Sequence, residues 1–263
     1  MSMKIFKKIL MLLAVLMMVV TPFAAITADT TSSSSSADTA KTTDDSLKKV
    51  KEKGTLVVGL SADYPPYEFT TKQDGKTEYV GIDIQIAKKF AKDLGVKLVI
   101  KNMNFDSLLV ALETGKIDTI ISAMNPTEER RKSVDFSNIY YSGGKYIVIN
   151  KKDKSKYTSK ESFKGQTVGA QNGTLEYNLI KQQFPGATVK GLAKLNNLII
   201  ALQSGKVSGV LMEEPTAKAY VQNNPNLYTF NSKVSVDVNE TGAAMAFPKG
   251  CLLYTSPSPR DTR

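Results

Sequence analysis

Leu108-Leu-Val-Ala-Leu-Glu-Thr-Gly115-Lys-Ile-Asp-Thr-Ile-Ile-Ser122 returns 90 residues later as Leu198-Ile-Ile-Ala-Leu-Gln-Ser-Gly205-Lys-Val-Ser-Gly-Val-Leu-Met212. Leu108, Ala111, Leu112, Gly115 and Lys116 recur without a gap as Leu198, Ala201, Leu202, Gly205 and Lys206. Each copy reads as an amphipathic helix, a glycine suited to the left-handed position past the helix end, and a short apolar strand. Two such units predict two similar α/β halves.

The flanking sequence extends the pattern. Thr55–Leu60 is a continuous apolar run, the mark of a strand buried on both faces. Between Gly81 and Gly95, apolar residues at 84, 87, 91 and 94 have helical spacing, and Gly95 stops the helix. Lys97–Ile100 is the next strand. After Tyr146–Ile149 the alternation begins again: strand Thr167–Ala170, helix Leu175–Phe184, strand Ala187–Lys190, the second copy, helix Pro215–Asn223 and strand Thr241–Phe247. Such alternation predicts an α/β protein with mostly parallel sheets flanked by helices. We expect two lobes, residues 48–143 plus 240–250 and residues 144–239, with crossings near Tyr141–Lys145 and Ser232–Glu240.

The two ends have a different character. Lys4, Lys7 and Lys8 precede a 12-residue apolar run, Ile9 to Val20, then Thr21-Pro22 and small residues. This is the layout of an export signal over 1–28, with Ile26-Thr27-Ala28 as the best cleavage candidate. The run is short of the ~20 residues a spanning helix needs, although an uncleaved anchor is the alternative. Residues 29–47, rich in Ser, Thr and Asp, read as a tether that cannot bury a core. Residues 251–263 carry no periodic pattern and read as a non-native tail, from a frame error or adaptor read-through; a genuine tail is the alternative.

Composition narrows the chemistry. The chain of 263 residues has no His or Trp and one Cys, Cys251. Ser-His-Asp and Cys-His nucleophiles, disulfides and the usual Cys/His zinc sites are excluded. The formal charge is +10, three of it from the lysines of the leader. The remaining lysines are dispersed, without the basic stripe and interleaved aromatics of a nucleic-acid surface. We expect no metal, cofactor or nucleic acid.

Chemistry is expected where the two copies end. The first runs into Ile121-Ser122-Ala123-Met-Asn125-Pro126-Thr-Glu128-Glu-Arg130. Here Asn125 suits an N-cap, Pro126 the first helical position and Glu128 a capping box. A loop from a strand end into a helix N-terminus favours anions, and Arg130 adds a planar fork that matches a carboxylate. The second copy ends on Glu213, able to accept from an ammonium group, followed by Glu214 and Pro215. Gln171-Asn-Gly-Thr174 is a third such turn, with Gly173 permitting close backbone approach and Thr174 a hydroxyl. Tyr64, Pro65, Pro66, Tyr67 and Phe105 are candidate apolar walls.

Together these residues resemble the extracytoplasmic amino-acid-binding proteins of ABC importers, solute-binding family 3. The resemblance rests on Gly-Leu-Ser-Ala-Asp-Tyr-Pro-Pro-Tyr-Glu-Phe (59–69), Val-Gly-Ile-Asp-Ile (80–84), Phe-Asp-Ser-Leu (105–108), Gly-Lys-Ile-Asp (115–118), Pro-Thr-Glu-Glu-Arg (126–130), Val-Asp-Phe-Ser (134–137) and Gln-Asn-Gly-Thr (171–174), and spans roughly 54–250. It implies a bilobed periplasmic-binding-protein-like fold that closes on its ligand and hands it to a membrane permease. It puts Arg130 and Thr174, with nearby backbone N–H groups at Gly173, on a ligand carboxylate, and Glu213 on its ammonium. Tyr64 and Phe105 would flank the ligand side chain, and Ser122, Ala123 and Asn125 the floor. Ser61 stands where several binders of basic amino acids have Asp, with Asp63 able to reach in instead. Members also carry C-terminal helices that complete lobe 1, for which residues 251–263 have no counterpart.

The expected function is therefore binding of a free L-amino acid, polar or basic, by a monomeric, exported, non-enzymatic protein, for delivery to an ABC permease. A ligand-sensing domain is the alternative. A dehydratase-type enzyme on the same fold is a further one, with Glu213 as its proton-transfer group.

Overall fold

In the computed structural model, which describes residues 46–251, the chain builds two five-stranded sheets and a small hairpin sheet. The leader, most of the tether and residues 252–263 lie outside the described residues. The first lobe starts with α1 (Ser46–Lys53), β1 (Thr55–Leu60), the short β2 (Asp63–Tyr64), and the strands β3 (Glu68–Gln73) and β4 (Lys76–Val80). It continues with α2 (Ile82–Leu94), β5 (Lys97–Asn102), α3 (Leu108–Glu113), β6 (Thr119–Ile120), α4 (Glu128–Arg131) and β7 (Val134–Phe136). The second holds β8 (Lys145–Asn150), β9 (Thr167–Gln171), α5 (Leu175–Gln183), β10 (Thr188–Leu192), α6 (Leu195–Gln203), β11 (Gly209–Glu213), α7 (Glu214–Gln222) and β12 (Leu227–Asn231). The chain then returns to the first sheet as β13 (Ala246–Pro248).

The sheet orders are β5-β1-β6-β13-β7 and β10-β9-β11-β8-β12. The strands of each βαβ run, β5-β1-β6 and β10-β9-β11, are parallel. The strand that first enters each sheet after a crossing is antiparallel: β8 beside β11, and β13 beside β6. The two crossing segments run side by side: Tyr141 bridges to Ala243, and Ser232 donates its N–H and hydroxyl to the Lys145 carbonyl.

The repeated segment does the same work in both lobes. Leu108, Ala111 and Leu112 of α3 are buried, as are Leu198, Ala201 and Leu202 of α6. Gly115 and Gly205 follow at φ 68° and 74°, where an L side chain is strained. Each repeat leucine lies over a glycine of a neighbouring strand. A Cβ on Gly59 would stand 3.1 Å from Leu108 Cδ2, and one on Gly169 2.7 Å from Leu198 Cδ2. Burying each such leucine contributes roughly 1.5–3 kcal/mol.

Several sequence expectations need correction. The segment after the Pro/Tyr loop is a hairpin, with Asp74 and Gly75 both at positive φ in its turn. Asp-Gly between alternating residues is the sequence mark of that turn, so the hairpin was readable. The N-cap of α4 is Thr127, whose hydroxyl accepts from the Arg130 N–H, not Asn125. Asn125 is drawn away because its amide donates to Glu213 and to the Gly242 carbonyl. Cys251, assigned to the tail, is buried with Val50 and Phe247. Finally, β7 and β12 had gone unread, and β13 is shorter than the apolar run at 241–247 implies.

Candidate functional site

A narrow slot opens between the lobes. Ser61, Tyr64, Glu68, Phe105, Ser122, Ala123 and Asn125 line it from the first lobe, and Gln171, Thr174, Glu176 and Glu213 from the second. Eight of the ten expected residues therefore meet here. Arg130 and Gly173 do not line the slot. They line a larger outer cavity beside it, with Thr174 common to both.

On the first lobe, the strand end after β6 is held against two buried acids. Ser122 Oγ donates to Glu68 Oε1 at 2.7 Å, and the Ala123 N–H to Asp83 Oδ2 at 2.7 Å. Ala123 sits at φ 43°, a strained value for alanine that the Asp83 contact helps hold. Tyr140 donates its hydroxyl to Asp83, and the Glu68 and Asp83 carboxyls lie within hydrogen-bond reach of each other. Burial first, then the neighbouring Asp83 carboxylate, pushes the Glu68 carboxyl well up; burial also raises Asp83 against the Ala123 N–H. Two buried carboxyls with no cation between them cannot both ionise, so this pair retains a proton.

On the second lobe, the corresponding strand ends on Glu213, opposite Lys145 in the β11–β8 register. Lys145 Nζ lies 2.5 Å from Glu213 Oε1 and 2.7 Å from Glu176 Oε1, and all three side chains are buried. Burial pulls Lys145 down, but the two carboxylates override it and raise it, so the ammonium stays charged. Glu213 is raised by burial, with Lys145 opposing. Its Oε2 has no partner.

The slot is tied across both lobes. Asn125 Nδ2 reaches Glu213 Oε1 at 3.1 Å, and the Glu213 N–H donates to the Tyr64 hydroxyl at 2.9 Å. Arg130 donates to the Asn125 carbonyl at 2.7 Å and to the Gly173 carbonyl at 2.8 Å, with its guanidinium 5.4 Å from the Phe105 ring centre. Burial lowers it to about 10, so it remains protonated near neutral pH. Gly173 carries no side chain because a Cβ there would meet Asp106 of the other lobe at 3.0 Å. Asp63 does not reach into the slot. It accepts from the Leu195 N–H at 2.7 Å and so caps α6, whose own N-cap residue, Lys194, supplies no side-chain cap.

Glu68, Gln171, Glu176 and Lys145 were not singled out from sequence. Glu68 and Gln171 lie inside motifs already quoted, but strand pairing decides which way each side chain faces. Lys145 gave no signal, because a lysine opening an apolar strand reads as an exposed end. Among the described residues no group of His, Cys, Asp and Glu is arranged to hold a metal ion.

With this geometry in view, similarity to known proteins is informative. The arginine-binding extracellular protein ArtP of Bacillus subtilis is 34% identical over 76% of this chain and 77% of its own length. A probable histidine-binding protein of Campylobacter jejuni is 35% identical over 80% and 78%. In structure, the amino acid ABC transporter substrate-binding protein AbpA of Streptococcus pneumoniae, crystallised with L-arginine, aligns with a TM-score of 0.73 at 37% identity. That alignment covers 77% of this chain and 85% of AbpA. The sequence profile of the bacterial extracellular solute-binding proteins, family 3, matches residues 56–245, and this chain belongs to that family.

Proposed function

We propose that the protein captures a cationic L-amino acid, with L-arginine the first candidate, in the slot between its lobes. It then presents the ligand, as a monomer and without chemical turnover, to an ABC permease at the outer face of the membrane. One observation carries the reading: two buried carboxyl groups face the slot, Glu213 with an oxygen that has no donor and Glu68 with a proton, shared with Asp83, that a cation can displace. A basic amino acid brings two cations, an α-ammonium for Glu213 and a side-chain cation for Glu68. Arg130, which lines the adjoining cavity that meets the slot at Thr174, spends two N–H groups on backbone carbonyls, which leaves three of its five for a ligand carboxylate that extends past Thr174. The relatives that bind arginine or histidine support the same choice.

Calorimetry with purified protein tests it. L-Arginine, L-lysine or L-histidine should bind one per chain at micromolar affinity or tighter, on the order of −8 kcal/mol or better. Arg130→Ala should abolish most of that binding. Binding of neutral amino acids alone would overturn the cationic reading, and unchanged affinity in Arg130→Ala would overturn the clamp.

A further inference from the structure

The ammonium side of the slot contains more charge than one ligand contact needs. Glu213 and Glu176 are both buried, both line the slot, and both lie on a single buried ammonium, Lys145. Asn125 adds a hydrogen bond to Glu213 but no charge. Two carboxylates share one lysine here; the other cation that Glu176 attracts, Arg130, donates to the Asn125 and Gly173 carbonyls and is the group proposed to meet the ligand carboxylate, so with ligand bound the cluster is one positive charge short. Glu213 Oε2 is buried and has no hydrogen-bond partner, because Lys145 and Asn125 both occupy Oε1. Isolated charge is costly in a buried site, so a cluster of net −1 prefers an occupant of charge +1.

We propose that Lys145 and Glu176 set the specificity of the amino-group subsite: Lys145 holds one oxygen of Glu213 and turns the other toward the ligand, and Glu176 supplies the excess negative charge that demands a cationic amino group. Neither residue needs to touch the ligand. Lys145 is a positioning residue, and Glu176 fixes the sign of the site. Without Glu176 the Lys145–Glu213 pair is neutral, and an incoming ammonium leaves an uncompensated buried charge. Removing Lys145 as well leaves Glu213 with no fixed cation beside it, so the ligand's ammonium becomes its counter-charge. The design therefore predicts that one deletion harms binding and a second, on the same contact, repairs it. A purely structural salt bridge behaves in the opposite way, since losing both partners gains the ligand nothing. The proposal rests on the amino-acid reading above.

The test is a calorimetric cycle with L-arginine on the full chain, using wild type, Glu176→Gln and the double variant Lys145→Met/Glu176→Gln. Glu176→Gln should weaken binding by at least about tenfold, because a buried charge is left without its counter-charge. The double variant should recover most of that loss. In parallel, 5-guanidinopentanoic acid, which is arginine without its α-amino group, should bind wild type far more weakly than L-arginine does. In Glu176→Gln this preference should collapse, a readout that needs only one well-folded variant. Wild-type affinity in Glu176→Gln, or an undiminished preference for the amino group in it, would overturn the proposal. So would a folded double variant that binds no better than Glu176→Gln. If wild type binds no L-amino acid, the functional reading itself fails and this inference goes with it.

Discussion

The two copies of the repeat both run from a buried helix into a strand that ends on a pair of buried acids, but the pairs are built differently. In the first lobe Ser122 and Ala123 hold Glu68 and Asp83 with neutral donors and no cation. In the second lobe Glu213 shares Lys145 with Glu176. The first pair shares a proton, whereas the second shares a lysine. Similar scaffolds thus present two chemically distinct acceptors to one slot. One is held beside a fixed ammonium and the other can exchange its proton for a cation. On the proposed reading, a ligand with two different amino-type groups would be sorted by that difference, which a symmetric pair of sites could not do.

The comparison breaks most severely if the shared scaffold fails. Leu108 and Leu198 are fully buried at matched positions, each lying over a glycine of a neighbouring strand. Leu108→Ala and Leu198→Ala should each cost about 3 kcal/mol of unfolding free energy, from lost burial and the cavity left behind. Urea melts check this. Equal losses would show that the two copies carry equal structural weight; a loss below about 1 kcal/mol in one would show that its lobe repacks.

Next in size is the chemistry at the strand ends. Glu213→Gln keeps the shape but removes the fixed charge, and should weaken L-arginine about 100-fold, in the range found when one partner of a buried charge pair is lost. Glu68→Gln should cost less, about tenfold, because Glu68 must first give up its proton to receive a cation. The same substitution has a signature in stability. Glu68 is raised in the folded protein, so the native state binds more protons than the unfolded chain between the ordinary carboxylate range and the folded value. Its stabilising contribution is complete below that window and is lost as pH rises through it, with a slope of at most about 1.4 kcal/mol per pH unit for one proton. Unliganded wild type should therefore melt lower as pH rises through this window, and Glu68→Gln should flatten the curve. An unchanged slope would show that Glu68 is already ionised.

How much of this was legible in the sequence follows from which forces act locally. The repeat, its glycines and most helices were readable because helical spacing and a positive-φ stop leave marks within a few residues. Of the eight slot residues, Asn125, Thr174 and Glu213 were readable from turns at strand ends and Tyr64 and Phe105 as aromatic walls, whereas Ser61, Ser122 and Ala123 came only from the family resemblance. The lysine bridge was not. Lys145 and Glu213 are 68 positions apart and meet only through antiparallel pairing of β8 with β11, a pairing that the expectation of mostly parallel sheets disfavoured. Asn125 was misread for a related reason: its local signal was that of a cap, and a partner 88 residues away outcompeted it.

The smallest expected effect sharpens the comparison most cleanly, because it involves no side-chain partner. Gly115 and Gly205 have nearly the same φ, and a Cβ on either would meet no atom within 4 Å. Gly115→Ala and Gly205→Ala therefore isolate backbone strain from packing. Each should destabilise by about 1 kcal/mol, the cost of placing alanine in the left-handed region net of its reduced unfolded-state entropy. If the copies are equivalent as scaffold, the two values will agree within a few tenths of a kcal/mol and the double variant will show their sum, as expected for distant sites. A marked inequality would mean that one lobe relaxes around its helix end, and that the asymmetry of the two acid pairs begins in the scaffold rather than at the strand ends.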